Sequence, residues 1–353
     1  MQTKTPVIPR RSFLKLCALS LGGLAFRPLS NQVSSGFPSD YSSDNLLRVA
    51  IHSVSVYRQP NDQSEILYQR YRDELVNYYF QVISLGGPGY NPRWYRVWGG
   101  YIHSAYVQQV KVRPNPILPA APEKPIIAEV TVPISQTMRQ VQKGKWEPEY
   151  RLYYGSVHWI VGLDPGPDGT PWYRLRDELL RVEYHVPGAH LRPIPNEEIS
   201  PISTNVPPEK KHVEVSIATQ TLTAYEYDRV AFQTKISSGI PGQERPGQIP
   251  TKTPTGEFHI ENKMPSKHMG DGQLTSDYEA YELLGVPWTS FFEMKTGVAF
   301  HGTYWHNNFG VPMSHGCINM RTSEAKWIYR WSTPVVDPSL TNTIGYGTYV
   351  IVR

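Results

Sequence analysis

Apolar and polar residues alternate in short runs along most of this chain, and that alternation predicts strands. "RVAIHSVSVY" (48–57) puts an apolar side chain at roughly every second position, as a half-buried strand does. "WYRVWGGYIHSAYVQQV" (94–110) reads as strand, Gly-Gly turn and strand. The same order returns in "PWYRLRDELLRVEYHVPGAHLRPI" (171–194). Trp94-Tyr95-Arg96 corresponds to Trp172-Tyr173-Arg174, and Tyr101-Ile102-His103 to Tyr184-His185-Val186. The echo predicts two tandem small β-barrels, the second with an insertion. Beyond them, "HVEVSIA", "TLTAYEY", "VAFQTKI", "GEFHI", "GVAFH" and the closing "TYVIVR" are six more short strands. Only "SEAKWIYRW" (323–331) reads as a helix, with Thr322 or Ser323 as its cap, Glu324 in its first turn and Pro334 just past its end. The expected fold is mainly β: two small barrels, then a β-sandwich or barrel with a minor helix.

Turn-forming residues divide the chain. A Ser/Asn/Gly-rich linker covers 31–47, and Pro-rich linkers cover 113–125 and 195–211. Three domains follow: 48–112, 126–194 and 212–353. Residues 262–296 form a long, glycine-bearing stretch. They read either as a lid over a site or as a packed surface excursion.

The N-terminus has another purpose. In residues 1–30, Arg10 and Arg11 precede a short apolar run from Phe13 to Phe26. The run is short for a membrane span and has a cationic flank, so it reads as a secretory signal. The Arg-Arg pair before Ser-Phe-Leu-Lys resembles a twin-arginine signal for export of folded protein. No clear small-residue cleavage site follows. The expected location is therefore the cell envelope, periplasm or wall, with an uncleaved signal as a second way of being held there. Cys17 lies inside the apolar run as a small apolar residue.

Composition changes this picture little. Thirty-two prolines and 23 tyrosines in 353 residues suit strands and turns. The net charge of +4 comes with no Lys/Arg run, so nucleic acid is not an expected partner. A mildly basic surface suits an anionic wall polymer.

The chemistry concentrates in "VPMSHGCINM" (311–320). Cys317 is the one cysteine outside the signal, so it has no disulfide partner there. A thiol attacks as the thiolate and needs a base or a positive neighbour that lowers its pKa. His315, two residues away, and His301, at the end of "GVAFH", are both candidates. Backbone N–H groups around Gly316 could form an oxyanion hole. Residue types alone leave two other readings open: a buried structural cysteine, or a zinc site of His301, His306, His315 and Cys317. The His spacings match no common zinc signature, so no metal is expected.

"HGTYWHNNFGVPMSHGCINM" resembles the signature of the L,D-transpeptidases, the YkuD-like family. "SSGIPGQERPGQIPTKTPTGEFHI" (237–260) is similar to the family's Ser-Gly…Thr-Pro-Thr-Gly-x-Phe stretch. The resemblance covers about residues 210–353. It implies an acyltransferase that needs no cofactor and makes 3→3 peptidoglycan cross-links through a cysteine thioester. The partners implied are a donor and an acceptor stem peptide. Cys317 would be the nucleophile and His301 its base, oriented by the carbonyl of Gly302. His315, Gly316 and Cys317 would shape the oxyanion hole. Asn319 would brace the loop or the substrate, with Ser314 and Arg321 as weaker candidates. Tyr304 and Trp305 would line the donor groove or simply pack, and His306 is read as a polar loop residue. Carbapenems are the implied covalent inhibitors. A carboxypeptidase, an enzyme tethering proteins to the wall, and a non-catalytic wall-binding protein are the alternatives. The "WYRV…GYIHSAYV" pattern resembles bacterial SH3-type modules, which implies wall-polymer binding by 48–194.

Overall fold

The structure is a computed structural model that describes residues 44–242, 251–270 and 282–353. The expected signal with Arg10, Arg11 and Cys17 lies outside the described residues, as does nearly all of the expected 31–47 linker.

The first module is a seven-stranded antiparallel sheet. Its order is Ile66–Tyr71, Ser53–Tyr57, Gly100–His103, Arg93–Val97, Leu75–Ile83, Leu46–Val49, Val107–Val110. The second module repeats that order with Lys145–Tyr153, Ile134–Gln142, Glu183–Pro187, Pro171–Arg176, Val157–Pro165, Ile126–Val130 and Leu191–Pro193. Each has a 3₁₀ turn before its last strand, Ser104–Tyr106 in one and Gly188–His190 in the other. Trp94 and Tyr95 in one, and Trp172 and Tyr173 in the other, are fully buried. Neither strand order closes on itself, so the expected closed barrels are not found among the described residues.

The internal match is also shifted by one residue from the expected one. Tyr95 pairs with Ile102 and Tyr173 with Val186, so Ile102 corresponds to Val186 and Tyr101 to His185. Matching by letter failed because Tyr184, His185 and Val186 are all buried, leaving no alternation to fix the register.

Residues 211–353 form two five-stranded sheets. One runs Arg229–Lys235, Thr221–Glu226, Lys211–Ser216, Tyr349–Val352, Gly256–His259; the other runs Ile318–Met320, Val298–Gly302, Glu282–Glu293, Asn262–Gly270, Thr343–Ile344. Val213, Val215, Leu222, Val350 and Val352 of the first sheet share one core with Phe292, Phe300, Ile318 and Met320 of the second. The helix Thr322–Trp331 adds Ala325, Ile328 and Tyr329 to that core. Arg321, not Thr322 or Ser323, is its N-cap, and no side chain caps it. Two buried lysines meet backbone carbonyls at the other end: Lys211 donates to Trp331 O at 3.1 Å and Lys263 to Ser332 O at 2.7 Å.

The stretch 262–296 is not a loop excursion. Most of its described residues are two paired strands, and Glu282–Glu293 is buried along nearly its whole length. A strand covered on both faces shows no alternation. Gly285 and Trp288, both at positive φ, and the bulge between Lys267 and Met269 break the pattern further. The hairpin tip is outside the described residues.

Both modules pack on the C-terminal half. Arg48 is buried and donates to Tyr304 O at 3.1 Å, lies 3.3 Å from Asp73, and sits 4.1 Å over the Tyr153 ring. Asn91 Nδ2 donates to Asn307 O at 3.1 Å, and Asn307 N–H donates to Ala105 O at 2.7 Å. The segment from Tyr304 to Asn308 is thereby held from the first module. Asp177 of the second module bonds His268 Nδ1 at 2.7 Å, and Glu178 pairs with Lys267 at 2.5 Å. These contacts fix the hairpin strand that reaches the site.

Candidate active site

The parallel strands Val298–Gly302 and Ile318–Met320 build the site. Their register pairs Phe300 with Ile318, His301 with Asn319 and Gly302 with Met320. Paired residues share a face and neighbours alternate, so Phe300, Ile318 and Met320 go into the core, where each is fully buried. His301 and Asn319 take the opposite face, and Cys317, two residues before Asn319, follows them. All three line one cavity of about 380 Å³, together with Trp305, Ser314 and His315. Asp and Glu are missing from that lining among the described residues.

His301 is buried, and its Nδ1 lies 3.0 Å from the carbonyl oxygen of Gly302. Donation from Nδ1 leaves Nε2 free of a proton, as a base requires. Burial pushes the His301 pKa down to about 4, against a smaller upward pull from that carbonyl. A Cβ on Gly302 would lie 2.8 Å from Pro287 and 3.0 Å from Thr322 Cα, so close packing demands glycine there.

Cys317 is a free, partly exposed cysteine whose Sγ is 3.6 Å from Gly297 O. Burial pushes its thiol up to about 11, with the backbone at Ala299 pulling slightly the other way. The expected lowering is not present: desolvation favours the neutral thiol. At neutral pH the pair rests as thiol and imidazole.

The turn before Cys317 is tied at several points. Ser314 Oγ donates to Cys317 O at 2.5 Å and accepts from Gly316 N–H at 3.2 Å. Gly316 has φ +121, a conformation that favours glycine. Thr253 Oγ1 donates to Gly316 O at 2.7 Å and accepts from Gly239 N–H at 2.8 Å. A Cβ on Gly239 would sit 2.9 Å from Gly316 Cα. Thr253 and Gly239 lie in the quoted 237–260 stretch, but nothing in that stretch showed that they grip the cysteine turn.

His306 differs from its expected role. It lies in the loop after the strand Val298–Gly302 but is buried there. Its Nδ1 accepts from Asn308 N–H at 3.2 Å, and its Nε2 lies 2.8 Å from the Asn319 amide. Burial, and then the neighbouring His301, push its pKa down to about 3, so the ring is neutral. A neutral ring that accepts at Nδ1 carries its proton on Nε2. Asn319 therefore meets it with Oδ1; the reverse placement would leave that buried oxygen without a partner. The Asn319 N–H₂ then turns away from His306. Removing the ring strands a buried amide, so His306→Ala should lower stability by about 1–3 kcal/mol. Denaturant unfolding of the two proteins measures it.

Tyr304 and Arg321 do not line the cavity. Tyr304 is buried, donates to Leu284 O at 2.8 Å and packs on Tyr153. Arg321 pairs with Glu324 at 3.1 Å and covers the Phe309 ring. Trp305 does line it, with its ring centroid 5.7 Å from that of His301. Among the described residues, no group of three or more His, Cys, Asp and Glu side chains is placed to hold a metal ion.

Residues 210–352 match the YkuD family, described as the L,D-transpeptidase catalytic domain. This part of the chain is a YkuD L,D-transpeptidase catalytic domain. The chain is 31% identical over 113 residues to YkuD of Bacillus subtilis (strain 168), itself carrying only a provisional L,D-transpeptidase name. The match spans 32% of this chain and 55% of that relative, so the chain covers about half the relative's length. The catalytic domain of the Enterococcus faecium L,D-transpeptidase, solved acylated by ertapenem, is 28% identical. That match covers 41% of this chain and 97% of that one, with a TM-score of 0.29. An L,D-transpeptidase from Mycobacterium smegmatis is 19% identical, covering 69% and 100%, with a TM-score of 0.32. Both Cys317 and His301 lie within the matched residues 210–352.

Proposed function

We propose that the protein is an exported peptidoglycan L,D-transpeptidase. The observation that carries this reading is one face of two parallel strands, in a YkuD domain, presenting Cys317, His301 and Asn319 to one cavity. The Cys317 sulfur attacks the carbonyl between the third residue of a donor tetrapeptide stem and its terminal D-Ala. The C–S bond forms, the C–N bond breaks, and His301 Nε2 carries the thiol proton to the departing amine. The side-chain amine of an acceptor stem then attacks the thioester. A C–N bond forms, the C–S bond breaks, and the thiol is restored with a 3→3 cross-link made. Backbone N–H groups around Gly316 bind the oxyanion in both steps, and the Asn319 N–H₂ is free to meet a substrate carbonyl. The two N-terminal modules, of SH3-like kind, hold the wall polymer and raise its local concentration. Export runs through the twin-arginine signal with Arg10 and Arg11.

Mass spectrometry of products from defined tetrapeptide stems tests this. The expected products are free D-Ala and a dimer joined through third residues. Tripeptide alone would make the protein a carboxypeptidase, and unchanged stems would overturn the reading. A strained β-lactam should be opened by the same sulfur, so carbapenem should add its mass once, at Cys317.

A further inference from the structure

The catalytic cavity is not built by the catalytic domain alone. Ala50, Ile51 and Arg72 of the first module line it with Cys317 and His301. Arg72 is exposed and stands at the turn between the strands Ile66–Tyr71 and Leu75–Ile83. Its backbone N–H is bonded to His52 O at 3.0 Å, and Asp73 takes φ +68.

The carboxylates beside Arg72 are occupied by other cations. Asp73 Oδ1 pairs with Arg48 at 3.3 Å, and its Oδ2 accepts from Arg151 at 2.8 Å and from Tyr153 OH at 3.3 Å. Glu74 pairs with Arg70 at 3.4 Å. Among the described residues, no carboxylate pairs with Arg72. The same Arg48 that holds Asp73 also holds Tyr304 O, so the turn is fixed to the segment that follows His301. An exposed guanidinium with no carboxylate partner among the described residues thus stands at the wall of a cavity whose described lining has no carboxylate.

We propose that Arg72 recognises a carboxylate on the acyl donor, making the first module part of the substrate site. The substrate class rests on the transpeptidase reading; the anion selectivity of the cavity does not. A stem can offer a carboxylate at its terminal D-Ala or on a side chain, and the guanidinium binds either by charge-assisted hydrogen bonds.

The test compares Cys317 alkylation by iodoacetate and by iodoacetamide at about pH 9 in the full chain. These reagents have the same leaving group and differ in charge. Adducts are located by peptide mass spectrometry to separate Cys317 from Cys17, and rates are normalised to free cysteine. Arg72→Gln should lower the iodoacetate-to-iodoacetamide ratio about threefold to tenfold, the range for one partly screened charge. Arg72→Lys should keep most of it. Added salt should bring the wild type towards the Gln variant. An equal ratio in wild type and Arg72→Gln would overturn the proposal.

With stems as donors, Arg72→Gln should raise KM roughly tenfold, the size of one charge-assisted bond. Amidating the recognised carboxylate, terminal or side-chain, should abolish that difference and identify which one it is. A tenfold effect that survives amidation of both would also overturn it. A wild type that turns over no stem, yet shows the charge-dependent ratio, would sink the transpeptidase reading and leave the anion site standing.

Discussion

Cys317→Ala should fold and should release no D-Ala from a donor stem. The residue is partly exposed, so exchanging a thiol for a hydrogen costs about 1 kcal/mol or less of stability. The loss in rate should be far larger. Without the sulfur there is no acyl-enzyme, and the remaining path is direct attack by an amine or water on an unactivated amide. A fall of roughly 10⁴-fold or more follows, as when an enzyme loses its nucleophile. Cys317→Ser is the stricter control because it keeps the size of the side chain. Its hydroxyl is much harder to deprotonate than a thiol, and His301, with a pKa pushed down to about 4, is a weak base for it. The measurement is D-Ala release over time, with thermal unfolding as the check on folding. A well-folded Cys317→Ala protein that still releases D-Ala near the wild-type rate would show that the nucleophile lies elsewhere.

Much of this site could be read from residue order, for a physical reason. His301 falls on a short strand and Cys317 just before its parallel neighbour Ile318–Met320, so strand pairing turns sequence spacing into a shared face. The Gly302 carbonyl is local to His301, so its role also follows from position alone. What could not be read depends on contacts between segments far apart in the chain. Arg72 reaches the cavity only because Arg48 and Asn91 dock the first module on residues 304–308. Thr253 grips Gly316 across the domain, and His306 is buried only after Asn308 and Asn319 close around it. Strand Glu282–Glu293 escaped notice because it is covered on both faces. The thiol is pushed up rather than down because burial outweighs the backbone contact at Ala299, a balance that residue order alone does not show.

His301→Ala should slow D-Ala release by roughly 10²–10⁴-fold at neutral pH, the usual range for a positioned base. The size of the deficit should depend on pH in a way that a structural defect would not copy. In the wild type the base is the neutral imidazole, and burial holds its pKa near 4. Activity should therefore stay level from neutral pH down to about 5 and fall only as His301 takes a proton near 4. An ordinary exposed histidine would place that fall near 6.5. At the alkaline end the thiol, pushed up to about 11, ionises without help. The His301→Ala rate should accordingly climb about tenfold per pH unit through the alkaline range, and the gap to wild type should narrow as it does. His306 cannot substitute: its Nδ1 is occupied by Asn308 N–H and its Nε2 by Asn319. Rates of both proteins between about pH 4 and 10, on one stem, decide the matter. A constant ratio across that range would mean that His301 shapes the site without moving the proton, and a wild-type fall near 6.5 would mean that the titrating base is not the buried His301.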